Sequence, residues 1–250
     1  CEEKDGFKLT PKKLQKAISK KTKWLILNSP SNPTGAGYTR DEIESLAKIL
    51  IKNKKIHILS DDIYEHIKYD NFNFFTIAQV SKLKDRTLTM NGVSKSYAMT
   101  GWRIGYGVWP LALAEKATRL NINSVSCTNA ATQYAAIAAL KGPQDQVKKM
   151  VEHFISRRNL IVKKTNQIPG MSSQMPEGAF YTMPNIKNTN LTSKEMEHIL
   201  LEELKIATVA GTSFGKYGEG YIRFSYANSE ENIIEALDRI YNYAIEKNWG

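Results

Sequence analysis

The sequence is poor in several things, and each shortage closes off a class of protein. It has only two cysteines, Cys1 and Cys127, and no CxxC pair. A disulfide framework or a cysteine-built zinc site is excluded, and a reducing cytoplasm is the expected compartment. The four histidines, at 57, 66, 153 and 198, fall in no HExxH or comparable spacing, so no metal is expected. The longest apolar runs, WLIL and YAAIAAL, are far short of the ~20 residues a membrane helix needs, and no membrane partner is expected. No signal peptide, transit segment, repeat or low-complexity tract is legible. The chain opens on Cys1 rather than Met, as expected of a processed chain or a portion of a longer one.

Positive charge is in excess: 35 Lys and Arg against 25 Asp and Glu give a net charge of +10. The basic residues spread through KKLQKAISKKTK (12–23) and IKNKK (51–55), the pattern of solvated faces. No RNP-type aromatic pattern, finger spacing or recognition helix accompanies them, so no nucleic-acid partner is expected. The length of 250 residues allows one or two domains.

The pattern along the chain predicts an α/β protein. Residues 8–20 read as a helix and WLILNSP (24–30) as a short buried strand. RDEIESLAKILIKN (40–53) is an amphipathic helix with Ile43, Leu46, Ala47 and Leu50 on one face. IHILS (56–60), RTLTM (86–90) and IGYGV (104–108) are further strands. Alternating strands and helices predict βαβ units and a mostly parallel sheet. From residue 111 helices take over: LALAEKATRL, TNAATQYAAIAAL and a long run over 143–165. Beyond QIPGMSS, strands at GAFYTMP and YIRFSYA with helices at 193–204 and 229–246 predict a smaller α+β domain. The expected division is 1–160 for the large domain and 161–250 for the small one.

Three polar clusters follow three strands: SPSNPTG (29–35), DDIYEH (61–66) and NGVSKSYAMTGWR (91–103). In open α/β sheets, ligands bind beyond the carboxyl ends of the strands, where all three clusters fall. Taken singly, each has a plain structural reading. NPTG makes a turn, Asp61 caps a following helix, Lys95 is a solvated loop lysine, and Arg103 packs on Trp102. Their convergence on one edge is the argument for a site.

Together, NPTG, the D-x-x-Y of Asp61 and Tyr64, SKSYAMTGWRIGY and YIRFSYA resemble the class I pyridoxal-phosphate aminotransferases. The likeness is to the bacterial aspartate and aspartate/prephenate branch, and it runs from about residue 7 to 246. It implies the PLP-transferase fold of type I, with pyridoxal 5'-phosphate as cofactor. Lys95 would be the catalytic lysine that holds the cofactor as a Schiff base, and Arg103 would grip the phosphate with its planar fork. Asp61 would keep the pyridine nitrogen protonated; its neighbour Asp62 is the rival, without the family spacing to the tyrosine. Tyr64 and Asn32 would bond the ring oxygen, and Asn32 with Arg223 would take the substrate carboxylate. The family often has a serine three residues before the lysine; Gly92 stands there, leaving Ser94 as a weak substitute phosphate ligand. GTSFGKYGEGY (211–221) resembles the loop that covers the substrate.

The implied reaction is ping-pong transamination between an amino acid, by family default aspartate, and 2-oxoglutarate, with prephenate as an added acceptor. A homodimer is implied, with 111–140 near its interface. Roughly the first third of a full family member is missing, and with it the phosphate cup and the aromatic that stacks on the ring. Two other readings stand beside this one: a carbon–sulfur lyase of the same fold, and a non-catalytic, truncated basic binding module.

Overall fold

A computed structural model describes all 250 residues. By compactness the chain divides into two units. A four-stranded unit comprises Leu9–Pro30 and Gly37–Lys148, and a three-stranded unit comprises Cys1–Lys8, Ser31–Ala36 and Lys149–Gly250. The last division lies inside a helix at 148/149, against the 160/161 read from sequence. The short segment Ser31–Ala36, which holds Asn32, sides with the three-stranded unit.

The four-stranded unit begins with helix α1, Pro11–Ala17. The Thr10 side chain accepts from Lys13 N, and Pro11 stands in the first turn, where its missing N–H costs nothing. The helix is shorter than the predicted 8–20. Past Ala17, Ser19 N bonds Thr22 Oγ1 (3.0 Å) and Lys21 N bonds Ser19 Oγ (3.2 Å), so side-chain acceptors draw the backbone away from helix.

Strand β1 is Trp24–Asn28, followed by helix α2, Arg40–Lys52, which opens on a capping box between Thr39 and Glu42. Strands β2 (His57–Asp61), β3 (Thr87–Gly92) and β4 (Gly105–Val108) complete the sheet in the order β1-β2-β3-β4. The first two pairings are parallel and β4 runs antiparallel to β3, so the sheet is mostly parallel, as predicted. Leu14, Leu27, Ile43, Leu46, Leu50 and Ile58 form the core against α1 and α2. The expectation of a buried β1 is corrected: Leu27 is buried, but Trp24 is 42% and Ile26 69% exposed. β1 is an edge strand with one covered face, so its side chains alternate in and out. Helices α3 (Leu111–Val125) and α4 (Ala130–Lys141) follow, and α5 (Asp145–Thr165) begins in this unit.

The three-stranded unit has strands β5 (Tyr181–Thr182), β6 (Val209–Ala210) and β7 (Ile222–Ser225), antiparallel in the order β5-β7-β6. β6 has no counterpart in the sequence reading, since two residues give no period to see. Helices α6 (Ser193–Glu202) and α7 (Glu230–Glu246) pack with the sheet around Met196, Leu200, Ile222, Ile233, Leu237 and Ile240. The first residues of the chain are tied into the same unit. Lys8 Nζ meets Glu177 Oε1 at 3.0 Å, and Glu3 Oε2 accepts from Asn185 Nδ2 (2.6 Å) and Tyr221 OH (3.0 Å). No helix is long and apolar enough to cross a membrane.

Candidate active site

Parallel pairing puts the carboxyl ends of β1, β2 and β3 side by side: Asn28 is opposite Asp61, and Asp61 opposite Met90. Asn28 Nδ2 donates to Asp61 O (2.9 Å), and Asp62 N donates to Met90 O (2.9 Å). DDIYEH and the start of NGVSKSYAMTGWR therefore meet on one edge, and Gly92 pairs with Gly105 to bring the chain back past Arg103.

The two neighbouring aspartates have different surroundings. Asp62 is 3% exposed, accepts from Ser60 Oγ (2.7 Å), and is pushed up to about 6, chiefly by burial. It is turned into the protein. Asp61 is half-buried, and its carboxyl is also raised by burial, with a weak opposing bond from Ile63 N at 3.4 Å. No helix follows Asp61, so the capping reading is not met; the bond to Ile63 makes a turn instead. A carboxylate that is losing water with so little in return is one that a cationic N–H would stabilise.

Tyr64 is 3% exposed in the turn after β2. Ser94 and Lys95 are half-buried in a tight turn after β3, where Ala98 N donates to Lys95 O (3.2 Å). Arg103 is exposed and left-handed at φ 52°, and its Nη1 donates to Thr100 O (2.9 Å). That bond occupies one of five N–H groups and leaves the outer fork facing solvent.

Asn32 and Arg223 come together in the three-stranded unit, where Arg223 Nη1 donates to Asn32 Oδ1 at 2.9 Å. The Asn32 turn is closed by Ser31 N to Ala36 O (2.9 Å) and fastened through Gly35 O, which accepts from Glu177 N and Gly178 N. Gly35 has φ +71°, and a β-carbon there would stand 2.5 Å from Pro176 Cβ, so only glycine fits. Arg223 is held by no acid. Its guanidinium carbon lies 4.6 Å from the Tyr181 ring and 5.2 Å from the Phe214 ring, and its Nε is buried without a hydrogen-bond partner. Leaving a buried donor unmade is costly, and an incoming carboxylate would remove that cost.

Sequence reasoning missed Tyr181 and Phe214. No local sequence signal marks either as a neighbour of Arg223. Tyr181 opposes Ser225 in the β5–β7 pair, so Arg223 is its diagonal neighbour on the same face. Phe214 is the aromatic of the glycine-rich GTSFG segment.

A match to the family described as aminotransferase class I and II covers residues 1–240. The chain belongs to that family. An aspartate aminotransferase of Rhizobium meliloti is 45% identical over 251 residues, covering 96% of this chain and 61% of that protein. A probable aspartate/prephenate aminotransferase of Rickettsia felis is 44% identical over 251 residues, with the same coverage. The crystal structure of the Rhizobium meliloti aspartate aminotransferase superposes with a TM-score of 0.93 at 42% identity, over 97% of this chain and 63% of that one. An aromatic aminotransferase from Pyrococcus horikoshii gives a TM-score of 0.96 at 38% identity, over 100% of this chain and 67% of that one. The fold is the α/β fold of pyridoxal-phosphate aminotransferases. The chain spans about three-fifths of the length of these curated relatives.

The family's cofactor is pyridoxal phosphate, and the residues present suit it. The under-solvated Asp61 carboxyl matches a protonated ring nitrogen, Lys95 can meet an aldehyde, and the open fork of Arg103 can meet a phosphate.

Proposed function

We propose that this chain carries the catalytic part of an aspartate aminotransferase that passes an amino group from aspartate to 2-oxoglutarate, with prephenate as a second acceptor. The observation that carries this reading is the half-buried, weakly bonded Asp61 on the same sheet edge as the Lys95 turn. The names of the relatives support the choice of substrates.

In this reading Lys95 Nζ would hold the cofactor covalently through its aldehyde carbon, with loss of water, and Arg103, with help from Ser94, would hold the phosphate. Asp61 would keep a proton on the ring nitrogen by its negative charge, while Tyr64 and Asn32 would donate to the ring oxygen. Bound pyridoxal phosphate supplies an electron sink for the pair left behind when the substrate Cα loses its proton. The Lys95 amine, once freed, would act as the general base that accepts the Cα proton. Arg223 and Asn32 hold the α-carboxylate and orient the Cα–H bond. Each half-reaction ends before the second acid binds, which gives ping-pong kinetics.

Two features of the assembly complete the proposal. Helices α3 and α4 leave Leu111 (84%), Leu120 (71%) and Tyr134 (76%) exposed, and we assign that region to the contact of a homodimer. Both cysteines are free and exposed, in keeping with a cytoplasmic enzyme.

The test is to incubate the chain with pyridoxal phosphate, reduce with borohydride, and map the adduct by mass spectrometry. A single adduct on Lys95, with aspartate-dependent turnover of 2-oxoglutarate, is expected. Scattered labelling of surface lysines, or pyruvate release from cystathionine instead of transamination, would overturn the assignment.

A further inference from the structure

The turn that carries Lys95 is tied down at both ends. On the entering side, Asn91 Nδ2 donates to Glu65 Oε1 (2.5 Å), and Asn91 Oδ1 accepts from Gly92 N (2.7 Å). On the leaving side, Tyr97 OH donates to Gln144 Oε1 at 2.9 Å. Gln144 is itself fixed. Its Nε2 donates to Ala139 O (3.0 Å) and Gly142 O (2.7 Å), the carbonyls that end α4 just before α5 begins. The tyrosine two residues beyond Lys95 is thus bonded to a post with no slack.

Between the ties, the turn has little freedom of its own. Val93 is fully buried and Ser96 is 2% exposed, one on either side of Ser94 and Lys95. Tyr97 N closes onto Val93 O (3.2 Å), and Ala98 follows at φ 52°, a left-handed conformation that a residue with a β-carbon adopts only when its surroundings hold it. The Tyr97 ring stands edge-on to His66 at 6.3 Å, so the ring and the hydroxyl have separate contacts. Burial and the nearby Glu65 raise the Tyr97 phenol, which keeps its proton and remains a donor.

We infer that Tyr97 is a positioning residue for Lys95, anchored by Gln144: the phenol–amide bond sets where the lysine amine stands and so how selectively an aldehyde is captured there. The inference rests on the reading of Lys95 as the cofactor lysine. The hydroxyl is the operative group, because removing it keeps the ring, its volume and its contact with His66. The loss should be that of one ordinary hydrogen bond, about fivefold in an equilibrium or rate.

The test compares the unsubstituted chain with Tyr97→Phe, Gln144→Met and the double variant. Each is incubated with pyridoxal phosphate and quenched with borohydride at timed intervals. The adduct on Lys95 is then quantified against that on the exposed Lys54 in the same digest. Each single substitution is expected to lower the Lys95-to-Lys54 ratio about fivefold, and the double variant no further than Gln144→Met alone, because the Tyr97–Gln144 bond is already lost there; the two Nε2 bonds that Gln144→Met also removes are read in the melting temperature. The melting temperature is recorded alongside. A variant that melts earlier but labels Lys95 as the parent does would overturn the inference and leave a merely structural tie. Effects that add in the double variant would also overturn it. Failure of the parent to label Lys95 at all is a different result, which removes the functional reading and this inference with it.

Discussion

On the proposed reading, the lysine edge and the carboxylate clamp of Arg223 and Asn32 prepare for their ligands in opposite ways. On the edge, Asp61 has one weak bond at 3.4 Å and Arg103 spends a single N–H on a backbone carbonyl. Their charges are only loosely committed within the protein. In the clamp, Arg223 is already fixed by Asn32 and by two aromatic faces, with only its Nε left wanting. A site that is to be filled permanently by a cofactor can leave its polar groups short, because the cofactor completes them. A site visited by each substrate in turn gains from being rigid beforehand, since ordering a long arginine at every binding event costs free energy. The two regions should therefore fail differently when altered.

The largest effect is expected on the edge. Lys95→Ala would remove both the proposed covalent attachment and the proposed base, so borohydride trapping should yield no adduct on the 91–103 peptide and transamination should stop. Residual turnover within tenfold of the parent would show that another amine does the work. Asp61→Asn comes next. It removes the negative charge proposed to hold the ring proton, and turnover should fall by about a hundredfold or more, as when one electrostatic contact to a developing charge is deleted. Pyridoxal phosphate should still be retained, because Lys95 and Arg103 remain. If the variant lost the cofactor altogether, the carboxylate would be a binding group rather than an electronic one.

The clamp should show its rigidity as a split in kinetic constants. Arg223→Lys keeps a charge but loses the planar fork, and KM for the amino acid should rise about ten- to a hundredfold, the value of a charged hydrogen bond or two. Phe214→Ala should raise KM only a few-fold, since one aromatic face of the guanidinium is worth about 1 kcal/mol. If Phe214→Ala matched Arg223→Lys, the aromatic would be touching substrate and not merely holding the arginine.

How far the sequence reaches differs between these regions for a physical reason. α2 was legible to within one residue, 40–53 read against Arg40–Lys52 found: Ile43, Leu46, Ala47 and Leu50 recur at helical spacing, and all four are buried. Asp61, Lys95 and Arg103 could be singled out because their clusters lie at or beyond strand ends, and strands announce themselves by local pattern. Arg223 and Asn32 also carried a local motif, but their partnership did not, since it joins residues far apart in the chain. The same holds for the aromatic faces of Arg223 and for β6, whose two residues acquire meaning only beside β7. Burial was not legible in every helix with apolar residues. α3 has an apolar pattern like that of α2, yet none of its residues is buried.

A last effect, read in stability and not in turnover, separates two aspartates that sequence could part only by family spacing. The Asp62 carboxyl stands at about 6 in the folded protein against an ordinary 3.8, with burial as the main cause. Below the lower value it is protonated in both states and costs nothing. As pH rises through the interval, the unfolded chain gives up its proton first, so stability falls; above the upper value the whole penalty applies. A shift of this size corresponds to about 2–3 kcal/mol. Asp62→Asn removes the ionisation while leaving an oxygen to accept from Ser60 Oγ. It should therefore raise the melting temperature by several degrees at pH 7.5, and the gain should vanish at pH 4. A thermal-shift series across that range decides the matter. A variant less stable than the parent at pH 7.5 would mean that the ionised Asp62 is needed where it stands, and that its contrast with Asp61 is one of degree.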